Sequence, residues 1–272
     1  MMPRIVWIAS YPKSGNTWVR FIIHHLSGGR LGDARDLQGR VPDMYLGISA
    51  SRLATDALIP IKTHHQRPPT LAVPTQTVGA IVIIRHPLDV LASNVNYHLM
   101  GQAARTGGLS SAQAETFSRD YIAAYIGHGG DPAFISFGWG TWEENLSGWL
   151  EHFTGPRLLL HYERLLQLPE QGVARIARFL GLAVSDERIA AAARDCSFDE
   201  MRHIETVTRE GPPQDLLFRG PMFTVPPPQS SWRFVNKGRA DGYGDVLTAS
   251  EIRQGADRFG PAAKRFGYSI DD

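Results

Sequence analysis

The fold of this chain is decided near its start, where residues 5–23 read IVWIASYPKSGNTWVRFII. The opening apolar run, IVWIA, predicts a buried strand. It ends at a turn containing Lys13, Ser14 and Gly15, and the apolar spacing that follows from Trp18 is typical of a helix. A turn between a strand and a helix presents free backbone N–H groups at the positive end of the helix dipole. The sequence therefore predicts a binding site for a phosphate or sulfate group.

The order of residues in this turn differs from the usual nucleoside-triphosphate loop. That loop runs Gly, four residues and then Gly-Lys-Ser/Thr. Here Lys13 comes before Ser14 and Gly15, and the aromatic Trp18 follows soon after. We therefore expect the loop to hold an anion other than a triphosphate.

The bulk composition is that of an ordinary globular protein and excludes several classes. The chain has 272 residues, of which 43% are apolar and 20% charged, with a formal net charge of +1. A balanced charge argues against a nucleic-acid partner. No apolar run approaches the roughly 20 residues that span a bilayer, so we expect no membrane partner. The one cysteine, Cys196, rules out an intrachain disulfide and indicates the cytoplasm.

Strand and helix patterns alternate along the rest of the chain. Pro60 marks its strand as an edge strand or a strand start. The alternation predicts an α/β fold with a parallel sheet covered by helices on both faces. The later strands are predicted at residues 58–62, 80–84 and 157–162, and the helices at residues 87–99, 112–126, 141–153, 172–180 and 249–266.

Two segments interrupt this alternation. Residues 101–111 are rich in Gly and Ser and predict an exposed mobile loop, and residues 211–231 contain six prolines and predict a long mobile connection. No internal repeat or domain-length linker is visible, so we expect a single domain over residues 1–272. The predicted C-terminal helix at residues 249–266 is a candidate surface for a homodimer, although its alternating charge equally fits a solvated face.

Polar residues that could carry chemistry follow the ends of the predicted strands. Ligands of open α/β sheets bind beyond the carboxyl ends of the strands, so these residues are expected to converge. They are Lys13, Ser14, Gly15, Asn16 and Thr17 after the first strand, Lys62, Thr63, His64 and His65 after the second, Arg85 and Ser93 after the third, and Tyr162 after the fourth.

These residues lie in motifs that match one enzyme family in order. Tyr11 to Trp18 resembles a 5′-phosphosulfate loop, Lys62-Thr63-His64 a segment with a catalytic base, and Arg85 with Ser93 a 3′-phosphate motif. Further matches are Gly140-Thr141-Trp142, Tyr162-Glu163, Ser197-Phe198-Asp199 and Phe234-Val235-Asn236-Lys237-Gly238. The chain thus resembles the soluble sulfotransferases that use 3′-phosphoadenosine 5′-phosphosulfate (PAPS). The pair Glu144-Asn145 resembles most the bacterial members of the family that sulfate glycopeptide antibiotics.

The resemblance implies how the chemical centre works. Lys13 would neutralise the charge that develops on the leaving phosphate, while Ser14, Gly15, Asn16 and Thr17 supply loop donors. His64 would take the proton of an acceptor hydroxyl, since its near-neutral pKa suits a general base. Lys62 would hold the transferring group.

The resemblance also implies how the nucleotide is held. Arg85 and Ser93 would bind the 3′-phosphate, and Trp18, Tyr162 and Phe198 would frame the adenine. Cys196 stands on the adenine side where the family commonly has Thr, and Lys237 and Gly238 lie in the C-terminal loop. Asn236 occupies the place of a family Arg, and Arg239 is the candidate replacement.

The resemblance implies the cofactor PAPS, the product 3′,5′-adenosine bisphosphate, no metal, and a small-molecule or natural-product acceptor. Two other functions stay open. One is a P-loop-type nucleotide kinase or NTPase, which the loop order and the lack of an acidic residue at the strand ends disfavour. The other is a nucleotide-binding protein without catalysis, which the presence of both Lys13 and His64 disfavours.

Overall fold

The computed structural model describes residues 2–54, 56–209, 217–218 and 231–270. Within these ranges the strands form one parallel sheet in the order β2-β1-β3-β4. Their bounds are β1 (Arg4–Ser10), β2 (Leu58–Thr63), β3 (Gln76–Ile84) and β4 (Arg157–His161). The predicted α/β class with a parallel sheet and flanking helices is therefore confirmed.

The two central strands are buried on both faces, which explains their unbroken apolar sequences. One face of the sheet packs around Trp7 and is covered by Trp149, and both indoles are fully buried. β2 is an edge strand and contains Pro60, which pairs in register with Val6. An edge strand tolerates the missing N–H of a proline, so the edge assignment is confirmed.

Helices connect the strands and continue beyond the sheet. They are α1 (Asn16–Leu26), α2 (Ala34–Arg40), α3 (Ala50–Leu53), α4 (Pro87–Thr106), α5 (Ser111–His128), α6 (Pro132–Ser136), α7 (Trp142–Ser147), α8 (Tyr162–Gln167), α9 (Pro169–Phe179), α10 (Asp186–Asp195), α11 (Phe198–Arg209) and α12 (Ala249–Arg265). Short 3₁₀ turns lie at Met44–Leu46 and Gly242–Asp245. No helix in the described ranges combines the length and apolarity needed to span a membrane.

The described backbone divides into two compact units. The first comprises Met1–Ile84 and Asn145–Ile204 and contains the whole sheet. The second comprises Arg85–Glu144 and Glu205–Asp272 and contains α4, α5, α6 and α12. The single domain over residues 1–272 stays a prediction.

The predicted loop at residues 101–111 is wrong in extent. α4 continues to Thr106 and α5 begins at Ser111. Gly101 is buried within α4, and the helix ends only at Gly107, whose φ of 75° gives the left-handed cap. The other predicted loop, residues 211–231, falls outside the described residues except for 217, 218 and 231.

The predicted helix at residues 141–153 contains an irregular turn. α7 is followed by a π-helical turn, Gly148–His152. A Cβ at Gly148 would lie 1.9 Å from the carbonyl oxygen of Gln66, so glycine is required where these two segments meet. This close approach lets Trp149 on the same turn reach the segment after β2, as described below.

Candidate active site

The turn between β1 and α1 has the backbone of an anion-binding loop. It is left-handed at Lys13, with φ 69°, and at Gly15, with φ 103°. α1 starts with no side-chain cap and no acidic residue in its first turn. Because the first N–H groups of a helix have no partner within it and carry the positive end of its dipole, this end suits a phosphate or sulfate.

Ser14 provides a second sign of a ligand at this loop. Its hydroxyl oxygen is buried and makes no hydrogen bond with any described residue. A buried polar group left without a partner costs about 1–3 kcal/mol. The hydroxyl therefore fits a site in which an anionic oxygen accepts a hydrogen bond from it.

Asn16 holds the loop in place, a role that the sequence did not predict. Its side-chain amide donates to the carbonyl oxygen of Ile8 at 2.9 Å and to the hydroxyl of Ser10 at 3.2 Å. Its side chain is buried and tied to β1, so any contact with an anion would come from its backbone N–H.

Two of the three residues predicted to frame an adenine, Trp18 and Tyr162, meet beside Gly15. A Cβ on Gly15 would lie 2.8 Å from Cδ2 of Tyr162. The Tyr162 and Trp18 rings meet edge to face, with centroids 5.7 Å apart, and Trp18 Nε1 donates to the carbonyl oxygen of Cys196 at 2.7 Å. Burial raises the pKa of the Cys196 thiol to about 12, so it is inert. Phe198 begins α11 and is half-buried.

His64 lies directly after β2 with its ring in one defined orientation. Its Nδ1 is 2.8 Å from the carbonyl oxygen of Ser10, the last residue of β1. A carbonyl only accepts hydrogen bonds, so Nδ1 carries the proton and Nε2 is the basic nitrogen of the ring. The strand register pairs Ala9 with Thr63, which brings Ser10 and His64 side by side.

The backbone on either side of this ring is also fixed. The His64 N–H donates to the hydroxyl of Tyr45 at 2.7 Å, and the His64 carbonyl accepts from Asn145 Nδ2 at 2.7 Å. The next carbonyl, at His65, accepts from Trp149 Nε1 at 2.6 Å. The turn after β2 is therefore immobilised by side chains from two other segments of the first unit.

The pKa of His64 is far from the near-neutral value expected from sequence. Burial, with smaller contributions from the positive charges of Lys62 and Lys13, lowers the pKa to about 3 against the opposing effects of the Ser10 hydrogen bond and the Asp43 charge. The folded chain therefore keeps this imidazole neutral at physiological pH.

Lys62 is paired with a carboxylate that the sequence analysis did not select. Its ammonium lies 2.7 Å from Asp43 Oδ2, and Arg20 lies 3.7 Å from the same oxygen. Burial opposes ionisation of Asp43, but the charges of Lys62 and Arg20 outweigh it and lower its pKa to about 2. The predicted contact of Lys62 with a transferring group stays a prediction.

The second unit gathers three of the predicted 3′-phosphate residues. Arg85 Nη2 donates to the carbonyl oxygen of Arg239 at 3.3 Å. The side chains of Arg239 and Lys237 both bind Asp245, with Lys237 Nζ at 2.6 Å. These hydrogen bonds lower the pKa of Asp245. The carboxylate is therefore ionised and forms ion pairs with two of the three cations.

A buried carboxylate anchors this loop to α4. Asp89 accepts from the backbone N–H groups of Asp241, at 2.9 Å, and Tyr243, at 3.1 Å. Ser93 lies on the same helix and is half-buried, and Gly238 takes a left-handed φ of 61°. The loop and the first turns of α4 are therefore held as one piece.

Sequence reasoning missed Asp43, Tyr45 and Asp245, and it named Asn145 only for a family resemblance. Asn145 carried a usable signal, because it lies one helical turn before Trp149 and so shares its buried face. Asp43 and Tyr45 lie in an irregular segment whose pattern gives no such signal. Within the described ranges, no group of three or more His, Cys, Asp or Glu side chains could hold a metal ion.

Comparison with known proteins identifies the family. The family model described as "Sulfotransferase domain" matches residues 3–267. The chain belongs to the sulfotransferase family. The family and enzyme class predicted from the motifs are thus confirmed.

Individual sulfotransferases are distant relatives. Sulfotransferase 1C2 of Rattus norvegicus is 22% identical over 92% of this chain and 79% of its own length. Sulfotransferase 1A1 of the same species is 27% identical over 74% of this chain and 67% of its own length. A WSCD family member of Aedes aegypti is 25% identical over 68% of this chain, which spans about half (53%) of that protein.

Solved structures share the fold. Mouse sulfotransferase SULT7A1 complexed with PAP has a TM-score of 0.56 at 18% identity, covering 96% of this chain and 85% of that one. Retinol dehydratase in complex with androsterone and inactive cofactor PAP has a TM-score of 0.62 at 16% identity, covering 97% and 82%. This likeness extends the family match to the fold.

The loop geometry predicts that Gly15 is more sensitive to substitution than another left-handed glycine. Gly15→Ala adds both a strained φ and a clash with Tyr162, whereas Gly28→Ala adds strain only, since nothing lies within 4 Å of its Cβ position. We expect Gly15→Ala to lose roughly 1–3 kcal/mol more of the free energy of unfolding. Urea denaturation of both variants measures this, and equal losses would contradict the close packing at Tyr162.

The burial of neutral His64 predicts a pH-dependent stability. The unfolded chain protonates this histidine near its ordinary pKa of 6.5, whereas the folded chain does not until about 3. The contribution of His64 to the free energy of unfolding is therefore fully present above pH 6.5. It falls as the pH drops, by roughly 2 kcal/mol between pH 7 and pH 5. Unfolding curves of wild type and His64→Gln should diverge accordingly. Parallel pH dependences would show that His64 is not buried in its neutral form.

Proposed function

We propose that this chain transfers a sulfuryl group from PAPS to a hydroxyl of a small-molecule or natural-product acceptor. The observation that carries the proposal is the hydrogen bond between His64 Nδ1 and Ser10, which leaves Nε2 as the base beside the anion-binding loop. Membership of the sulfotransferase family supports the same reaction.

The charge of the first unit supports a phosphosulfate as the bound anion. The positive charge of Lys13 is close enough to lower the pKa of His64, and Lys62 and Arg20 form ion pairs with Asp43. This cationic cluster complements the two negative charges of a phosphosulfate. The Ser14 hydroxyl and the first N–H groups of α1 supply the donors for its oxygens.

Bound PAPS supplies the sulfuryl group and, as its sulfur–oxygen bridge breaks, the leaving phosphate. His64 Nε2 accepts the proton of the acceptor hydroxyl as the hydroxyl oxygen bonds to sulfur. Lys13 offsets the negative charge left on the bridging oxygen, and Lys62 holds the transferring group. A dianion nearby favours the imidazolium, so binding of the cofactor raises the pKa of His64 and strengthens it as a base.

The second unit carries the proposed 3′-phosphate contacts. Arg85, Arg239 and Lys237 are held together by the contacts with the Arg239 carbonyl and Asp245. Arg239 supplies the charge that the neutral Asn236 lacks, and Ser93 adds a hydroxyl. Trp18, Tyr162 and Phe198 frame the adenine, with Cys196 behind Trp18.

Other parts of the proposal rest on sequence alone. We infer a cytoplasmic protein from the single Cys196, and a bacterial natural-product enzyme from Glu144-Asn145. A homodimer through α12 is a further prediction. Retinol dehydratase was crystallised with androsterone, so steroid alcohols are reasonable members of a first acceptor panel.

Nucleotide preference tests the cofactor. 3′,5′-Adenosine bisphosphate should raise the melting temperature without metal, and ATP with Mg²⁺ should do so much less. His64→Ala should respond like wild type, because its imidazole binds no part of the nucleotide. A response to ATP with Mg²⁺ alone would favour the kinase or NTPase function.

Transfer from ³⁵S-labelled PAPS to a panel of phenols, sterols, sugars and glycopeptides tests the reaction. An accepted hydroxyl should become labelled by wild type, whereas His64→Ala and Lys13→Ala should each lose at least about 100-fold of the rate. Labelling by His64→Ala at the wild-type rate would eliminate His64 as the base. Nucleotide binding without transfer to any acceptor would favour the non-catalytic alternative.

The ion pairs of Asp245 with Lys237 and Arg239 predict that removing its charge strengthens binding of the 3′-phosphate. Asp245→Asn frees Lys237 and Arg239, so 3′,5′-adenosine bisphosphate should bind about three- to tenfold more tightly. Binding of 5′-AMP, which lacks the 3′-phosphate, should hardly change, and the control Asp241→Asn should affect both nucleotides little. Calorimetric titration measures both, and weaker binding of the bisphosphate would contradict this account.

A further inference from the structure

Tyr45 contacts His64 in two independent ways. Its hydroxyl accepts the His64 backbone N–H at 2.7 Å, and its ring is stacked on the imidazole at 5.8 Å between centroids, with planes only 10° apart. Neither contact involves Nε2, so the tyrosine constrains the ring without using its basic nitrogen.

The turn that carries Tyr45 is itself fastened to β2. Asp43 caps this 3₁₀ turn by accepting the Tyr45 N–H at 3.1 Å, and it binds the Lys62 ammonium at 2.7 Å. The carbonyl of Pro42 accepts the Lys62 N–H at 2.9 Å. Three consecutive contacts thus fix the height of the Tyr45 ring relative to the end of β2.

Release of the imidazole would change its chemistry. A neutral imidazole carries its proton on either nitrogen, and the partner of the other nitrogen decides which. In this chain the Ser10 carbonyl, 2.8 Å from Nδ1, selects the Nδ1–H form. A ring free to turn would place a proton on Nε2, where no proton can then be accepted.

We propose that Tyr45 is a positioning residue that holds His64 in the Nδ1–H tautomer and keeps it unprotonated. Its phenol ring blocks rotation of the imidazole and excludes water from one face, while its hydroxyl fixes the backbone from which the imidazole extends. Tyr45 itself exchanges no proton in the reaction, since burial raises the pKa of its phenol.

Histidine nitrogen NMR of the full chain tests the proposal without substrate. The His64 signals are assigned by their absence in His64→Gln. Wild type should show Nδ1–H and no protonation down to pH 5, whereas Tyr45→Leu should show mixed tautomers and titrate at higher pH. An unchanged tautomer and titration in folded Tyr45→Leu would overturn the proposal.

A gentler variant covers the case in which the leucine variant fails to fold. Tyr45→Phe keeps the ring and removes the hydroxyl that accepts the His64 N–H, so exchange of that amide with D₂O should accelerate at least about tenfold. Tyr121→Phe is the matched control, because its hydroxyl bonds a different group, Asp131, at 2.6 Å. Equal protection of the His64 amide in wild type and Tyr45→Phe would also overturn the proposal.

A double-mutant cycle on kcat tests whether this role matters for catalysis. Of the three experiments, this one alone rests on the proposed function. Tyr45→Leu should lower kcat about tenfold or more with little change in nucleotide affinity, and it should cost nothing further in His64→Gln. Equal losses in both backgrounds would mean that Tyr45 does not act through His64. If no acceptor is found, the NMR and exchange results still decide the proposal.

Discussion

The hydrogen bond between His64 Nδ1 and the carbonyl oxygen of Ser10 is the interaction on which the candidate site depends. It joins the ends of two neighbouring parallel strands, and it exists because their register pairs Ala9 with Thr63. It assigns the ring proton to Nδ1 and the lone pair to Nε2. Because the first strand ends in the candidate anion loop and the second is followed by His64, the same strand pairing places this loop beside the imidazole.

Buried charge is the constraint that this arrangement has to meet. Lys62 and Arg20 are both largely buried beside a loop that also carries Lys13, and unpaired buried cations are costly. Asp43 pairs with the first two, and His64 stays neutral. The second unit meets the same constraint at its surface, where Asp245 is the counter-ion of Lys237 and Arg239.

Much of this organisation was predictable from the sequence, because strands buried on both faces are read from unbroken apolar runs. All four strands were predicted at the right places in the chain, although β3 begins at Gln76 rather than at residue 80, and the family match confirms the class of enzyme. The reach of α4 was not predictable, since Gly101 suggests a loop unless its burial is known. The neighbours of His64 were not predictable either. Tyr45 and Asn145 are 19 and 81 residues away along the chain, and the burial that lowers the pKa of His64 is not visible in the local sequence pattern.

The central claim is that the β1–α1 loop and His64 form one site for an anion and its acceptor. A crystal structure of the chain with 3′,5′-adenosine bisphosphate tests it most directly. The account predicts a 5′-phosphate within about 3.2 Å of the backbone N–H groups of residues 14–17 and the Ser14 hydroxyl, with His64 Nδ1 still bonded to Ser10. A 5′-phosphate bound away from this loop, or a His64 ring turned so that Nε2 faces Ser10, would contradict it.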